Sequence, residues 1–142
     1  MYIDRYLGQY PKVKEYMKDV VDDATKKGYT VTKYGRRRYF PELQAKGMQR
    51  AAGERAALNS PIQGTAADII KIAMINVYNA LKEENLKSEL VLQIHDELII
   101  DCCNDEKDKV KELLKKQMEN AVCLSVPLTV SIGEGTNLND CK

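Results

Sequence analysis

Apolar positions along the chain recur at two periods, and the switches between them divide it into elements. Tyr2, Ile3, Tyr6, Leu7 and Tyr10 form a short apolar-aromatic start that Pro11 closes. Beyond it Val13, Tyr16, Met17, Val20, Val21 and Ala24 fall at steps of three, four and one, a single face of an α-helix. Lys26 and Lys27 followed by Gly28 predict its end, since cations suit a helix C-terminus and glycine takes a left-handed cap. YTVTKYGRRRYF then changes period. Tyr29, Val31 and Lys33 alternate with threonines, and Gly35 predicts a hairpin turn.

A second helical region starts at Gln49 as QRAAGERAALN and is expected to break at Ser60-Pro61, because a residue before proline is disfavoured in a helix. The pattern resumes from Gly64 or Thr65, with Ala66, Ile69, Ile70, Ala73, Met74, Val77 and Leu81 as a buried stripe. Two apolar runs, Leu90–Ile94 and Leu98–Ile100, flank His95-Asp96-Glu97 and predict a hairpin of buried strands with the polar trio at its bend. NDEKDKVKELLKKQMENAV predicts an amphipathic helix capped by Asn104, with Val110, Leu113, Leu114, Ala121 and Val122 pointing inward. In PLTVSIG, Leu128, Val130 and Ile132 alternate with Thr129 and Ser131, which predicts a last strand. Helices and strands fall in separate patches, so the expected class is α+β.

Composition narrows this picture only a little. With 142 residues, 44% hydrophobic and 30% charged, the chain has the makings of an ordinary folded domain rather than a disordered one. No apolar run approaches the roughly 20 residues of a membrane span, and MYIDRYLGQY lacks the layout of a signal peptide, so no membrane partner and a cytoplasmic location are expected. Four cysteines show no C-x-x-C pairing and the lone His95 has no zinc-motif spacing; reduced thiols are expected. A net charge of +1 excludes a global positive field, yet Arg36, Arg37 and Arg38 stand together with Arg50 and Arg55 nearby. That cluster is either a solvated hairpin arm or a phosphate-binding face.

Two constellations carry candidate chemistry. Arg55, Asn59 and Gln63 are four apart, which stacks them along one helix face, although Pro61 is expected to distort the line. A guanidinium and two amides suit the hydrogen-bond acceptors that the minor groove of DNA offers at every base pair. Spacing alone fits the plainer reading better, with Asn59 capping a helix end and Gln63 merely exposed. The second constellation is HDE. HDEL is an address only at a C-terminus, and the chain runs on past Leu98. An Asp at a tight bend is held firmly enough to ligate a hard cation such as Mg²⁺, which takes one or two carboxylates and completes its shell with waters and phosphates. Asp96 is the better-placed ligand, with Glu97 beside it. The plain alternative is a charged turn without metal. A catalytic triad is disfavoured, since no G-x-S-x-G or reactive-cysteine motif accompanies His95.

In order along the chain stand Tyr10-Pro11 with Val13 and Tyr16, Gly28-Tyr29 with Thr32, and Gly35-Arg36-Arg37-Arg38-Tyr39. After them come Glu54-Arg55-Ala56-Ala57, Asn59 with Pro61, QGTAADIIK over residues 63–71, and Gln93 with His95-Asp96-Glu97-Leu98. With these residues the chain resembles the C-terminal part of family A DNA polymerases, the bacterial DNA polymerase I type, through Val126-Pro127-Leu128. QGTAADIIK and QxHDEL in this order and spacing are highly specific.

The resemblance implies template-directed nucleotidyl transfer in DNA replication and repair. HDE looks like the family's third polymerase motif on a palm hairpin, with Asp96 a metal-binding aspartate, Glu97 an auxiliary carboxylate and His95 a neighbour of the primer terminus. Arg55, Asn59 and Gln63 match positions that touch the template–primer minor groove, and Arg36, Arg37 and Arg50 join them as DNA contacts. The implied chemistry uses two Mg²⁺ ions roughly 3.5–4 Å apart, one activating the primer 3′-hydroxyl and one holding the triphosphate. The implied architecture is the end of the fingers, about residues 1–49 with a β-hairpin, and half of the palm, about 50–142, as an antiparallel sheet with packed helices. The family's other metal aspartate, and the fingers helix that grips the incoming deoxynucleoside triphosphate, match nothing in this chain. The isolated chain is therefore expected to be inactive, with uncovered apolar surface and a tendency to oligomerise. Two other readings are a non-catalytic nucleic-acid-binding module and a metal-dependent phosphohydrolase in which Asp101 joins the Asp96-Glu97 bend.

Overall fold

The computed structural model describes residues 2–141. The chain forms α1 (Tyr2–Gln9), α2 (Pro11–Lys27), β1 (Tyr29–Val31), β2 (Arg37–Tyr39), a 3₁₀ turn (Pro41–Gln44), α3 (Gly47–Glu83), β3 (Glu89–Ile94), β4 (Glu97–Asp101) and α4 (Lys107–Glu119). Helices with two separate antiparallel hairpins make it an α+β fold. Two compact units divide within α3, after Thr65.

In the first unit α2 ends where the sequence predicts. Gly28 adopts φ 78°, and its N–H donates to the Ala24 carbonyl at 2.8 Å. The chain then turns directly into the β1–β2 hairpin, with Tyr29 opposite Tyr39 and Val31 opposite Arg37. Ala24, Phe40, Leu43 and Ala57 form this unit's core. The small residues matter: a Cβ on Gly53 would lie 2.9 Å from Glu42 Cβ and 3.3 Å from Leu43 N, so α3 rests closely on the 3₁₀ turn. The α2 stripe, by contrast, is covered only toward its C-terminal end. Val13, Tyr16 and Met17 stay exposed, as do Tyr2 and Ile3 of α1.

Helix α3 does not break at Ser60-Pro61 as expected; it runs unbroken for 37 residues with Pro61 inside. Proline removes one helical hydrogen bond and crowds the preceding turn, a cost of about 3 kcal/mol. Alanine-rich turns before and after it, and contacts in the turn that follows, offset this. Ser60 and Ala57 are buried, Arg36 Nη2 donates to the Gly64 carbonyl at 2.8 Å, and Lys33 N donates to Thr65 Oγ1 at 3.0 Å.

The second unit is built on Val77, Ala80, Leu81, Val110 and Leu113, against which Leu90, Leu98 and Ile100 pack. The predicted stripe on α3 is buried at Ile70, Ala73, Val77 and Leu81, while Ala66 is exposed. Strands β3 and β4 pair as predicted, but they are not buried strands. Val91 is 55% exposed and Leu92 46%. A bulge between Leu90 and Leu92 makes Val91 an extra residue: Leu90 faces Ile100 across the pair, yet Leu92 faces Ile99. Two further expectations are corrected. Glu106, not Asn104, precedes the first turn of α4, and the helix stops at Glu119, short of Ala121 and Val122. Residues 126–133 form no strand. Alternation specifies a strand only where a partner edge is at hand. Here Val130 N donates instead to Glu119 Oε1 at 3.1 Å, and Glu134 pairs with Lys111 at 2.7 Å, laying the segment along α4.

Candidate functional site

The polar trio sits at the tip of the β3–β4 hairpin. Ile94 and Glu97 are the closing pair, leaving His95 and Asp96 as a two-residue turn. Such a turn needs left-handed backbone, which glycine or asparagine normally supplies. His95 takes it instead, at φ 51°, a cost of roughly 1–2 kcal/mol. Gln93 Nε2 donates to the His95 carbonyl at 2.6 Å and so braces the turn from the strand before it. The result is an exposed Asp96 at a fixed bend, with Glu97 the first residue of β4. Non-glycine residues held in this region cluster where a site needs a defined direction.

Could these residues hold a metal? Among the described residues no group of three or more His, Cys, Asp and Glu converges on one point. What the turn provides is one forward carboxylate with a second beside it, the share that Mg²⁺ draws from protein when waters and phosphates fill its other positions. The donor set fits part of such a site. Asp101 does not join it. It pairs with Glu89 at the far end of β4, about 14 Å along the strand, so the phosphohydrolase reading loses its third carboxylate.

In the other unit, Arg55, Asn59 and Gln63 are all exposed on α3. Because the helix continues through Pro61, they stay four apart along one helix, a row about 12 Å long. Near the end of that row the β1–β2 turn is seated on the helix. A Cβ on Gly64 would fall 2.7 Å from Thr32 Cγ2 and 3.3 Å from Arg36 Nη2, so the glycine is a notch for the hairpin. Thr32 Oγ1 accepts from Tyr34 N and Arg36 N, shaping the turn from within. The basic residues differ accordingly. Arg36 spends a guanidinium nitrogen on the Gly64 carbonyl, Arg37 lies 4.8 Å over the Tyr29 ring, Arg38 lies 5.1 Å over Phe40, and Arg50 pairs with Glu54 at 2.9 Å. Sequence reasoning did not foresee the Gly64 notch or the Gln93 brace; both depend on contacts that no periodicity reveals. Gln93 was marked only by the resemblance.

The sequence profile described as "DNA polymerase family A" matches residues 1–140. The chain belongs to this family. It is 50% identical to DNA polymerase I of Caldicellulosiruptor bescii over 142 residues, covering 99% of this chain and 17% of that protein. For Bacillus subtilis DNA polymerase I the identity is 47% over 142 residues, covering 99% of this chain and 16% of that one. Among solved structures, the polymerase domain of Pol1 from M. smegmatis, described in complex with DNA primer-template and dNTP, superposes with a TM-score of 0.93 at 48% identity. That match covers 98% of this chain and 25% of the other. This family A chain thus spans about a sixth of the length of the curated relatives it matches. No helix in the described residues is long and apolar enough to cross a membrane.

Proposed function

We propose that this chain contributes part of the catalytic and DNA-holding surface of a DNA-directed DNA polymerase acting in replication and repair. Residues 1–49 are the end of its fingers and residues 50–142 the second half of its palm. The observation that carries the reading is the two-residue turn at the tip of β3–β4, where strained backbone at His95 and the Gln93 brace hold Asp96 forward.

In this reading Asp96 ligates Mg²⁺, Glu97 is an auxiliary carboxylate, and His95 lies beside the primer terminus. Bound magnesium supplies Lewis-acid activation of the primer hydroxyl and charge neutralisation on the triphosphate. Arg55, Asn59 and Gln63 hydrogen-bond to minor-groove acceptors, testing duplex geometry without reading sequence. Arg36, Arg37 and Arg50 approach the template–primer phosphates. The Arg50–Glu54 pair is exposed and weak, about 0.3–0.5 kcal/mol for such helix pairs, so a phosphate readily displaces it. One aspartate does not hold two ions. A second carboxylate and the main deoxynucleoside triphosphate contacts must come from further polypeptide, and the open, apolar β3 is a ready edge for another strand. A cytoplasmic location goes with this function.

The test places this chain in Bacillus subtilis DNA polymerase I in place of the matching segment. Mg²⁺-dependent primer extension is expected to survive, and Asp96→Ala to lower its rate about a thousandfold, several kcal/mol of lost charge stabilisation. Equal rates with and without the Asp96 carboxylate would sink the proposal. The chain alone is expected to show no extension above its own Asp96→Ala control.

A further inference from the structure

The end of the β3–β4 hairpin opposite Asp96 carries an unusual concentration of hydrogen bonds on one side chain. The Glu106 carboxylate accepts from Lys87 N at 2.9 Å, from Ser88 N at 2.9 Å and from Ser88 Oγ at 2.6 Å. Ser88, directly before β3, is 3% exposed. Its Oγ in turn accepts from Cys103 N at 3.0 Å, two residues beyond the end of β4. Glu106 N donates to the Cys103 carbonyl at 3.0 Å, and the Glu106 carbonyl accepts Val110 N of α4 at 2.9 Å. Both ends of the hairpin are thereby tied through Ser88 to one residue at the head of α4. This arrangement is costly to lose, because the buried Ser88 hydroxyl and the part-buried Ser88 N–H would lose their acceptor together.

Glu106 serves its own helix poorly. It makes no side-chain cap bond to α4, where a capping residue at that position would. Its side chain is turned back to the hairpin instead. The hairpin also needs holding at that end. The core holds β4 at both ends, through Leu98 near the tip and Ile100 near the root, but touches β3 only at Leu90; Val91, Leu92 and Ile94 are exposed. β3 is thus held by the core at its root alone, and a strand held at one end acts as a lever on the turn that follows it. β3 extends about 17 Å, so a tilt of about 5° at its base displaces the tip by roughly 1.5 Å. A misplacement of about 1 Å at a reacting centre can cost a hundredfold in rate.

We infer that Glu106, acting through Ser88, is a positioning residue that fixes the direction in which the hairpin presents Asp96. The catalytic part of this inference rests on the role proposed above for Asp96; the mechanical part does not. Amide hydrogen exchange on this chain reads the mechanical part. Glu106→Gln puts an amide N–H₂ against donors, and is expected to speed exchange across the β3–β4 pairs at least about tenfold while the α3 amides of Val77 and Leu81 change less than about twofold. Ser88→Ala, a milder cut, is expected to give the same selectivity with a smaller rise. A uniform rise in both variants, or none in either, overturns the latch.

The catalytic part is read in the Bacillus subtilis polymerase carrying this chain. Glu106→Gln is expected to lower the single-turnover incorporation rate at least about tenfold, with half-saturating deoxynucleoside triphosphate and DNA affinity unchanged. Selective loosening of the hairpin without loss of rate overturns positioning. An Asp96→Ala control as active as its parent refutes the function proposed for Asp96, and the exchange result still decides the latch.

Discussion

The two units of this chain keep their shape by different means. The unit ending at Thr65 has a thin core of two small and two large residues, Ala24, Ala57, Phe40 and Leu43, and depends on close approach: backbone meets backbone at Gly53, and a hairpin is seated in the notch at Gly64. Its polar faces carry arginines stacked on rings. The unit from Ala66 onward has a larger aliphatic core and is tied at its edges by carboxylates, Glu84 to Lys109, Glu106 to the hairpin and Glu134 to Lys111. The difference matches the proposed division of labour. In that division, a surface meant to meet phosphates would leave its cations exposed around the notch, and a hairpin meant to aim one carboxylate would be fastened at its root.

The sharpest way to break the comparison is to empty each core in turn. Leu43 and Leu81 are buried in different units. Leu43→Ala and Leu81→Ala should each cost about 2–5 kcal/mol. Residue-resolved hydrogen exchange is expected to rise mainly in the unit that holds the mutation. Equal loss in both units for both variants would show one cooperative block.

Gly64→Ala comes next. With the new Cβ 2.7 Å from Thr32 Cγ2, the hairpin must shift or Thr32 must rotate, at about 1–3 kcal/mol by the usual cost of overpacking. A denaturant titration measures it. A neutral result would mean that the notch is not needed.

Proton linkage separates the units more gently. Hydrogen bonds from Lys87 N and from Ser88 hold the Glu106 carboxyl below its ordinary value of 4.5, and lysine partners do the same for Glu84 and Glu134. A depressed acid stabilises above its ordinary pKa and ceases to as pH falls through the lowered one. The second unit should therefore loosen first below about pH 4.5. Lys27 is shifted the other way, raised above 10.5 by its hydrogen bond to Asp23. Its contribution is present below pH 10.5 and lost as pH climbs through the raised value. Lys111 of the second unit, raised by its hydrogen bond to Glu134, behaves alike, so both units should show an alkaline sensitivity and Asp23→Asn should remove only the first unit's. Circular dichroism of the two single-core variants against pH would expose a reversed order.

The smallest effect is expected at the turn itself. His95→Gly relieves the left-handed backbone but frees the unfolded chain, for a net gain of about 1 kcal/mol or less. A clear loss of thermal stability in this variant would show that the imidazole, and not the backbone, holds the bend.

Residues that fix backbone geometry at their own position are legible in the sequence, whereas the Asn104 cap, which needs the helix to start there, is not. Pro11 and Gly28 bracket α2 because each fixes backbone geometry at its own position. Gly35, at φ 84°, lies in the β1–β2 turn for the same reason. Signals that depend on a partner misled. Pro61 carries the same local instruction as Pro11, yet the Gly64 and Thr65 contacts hold the helix through it. PLTVSIG has strand periodicity and no ladder, since a strand is a relation between two segments. The Asp96 turn was visible as three polar letters between aliphatic runs; its brace at Gln93 and its root at Glu106 were not, because both are contacts made by folding.

The extra residue at Val91 bears on solubility. An open strand rich in Leu, Val and Ile is the usual template on which chains stack into fibrils. An odd residue bends such a strand and raises its local twist, so that a second copy laid alongside would lose step after a few residues. Removing Val91 would flatten the ribbon into a better template, and is expected to lower the concentration at which the chain precipitates.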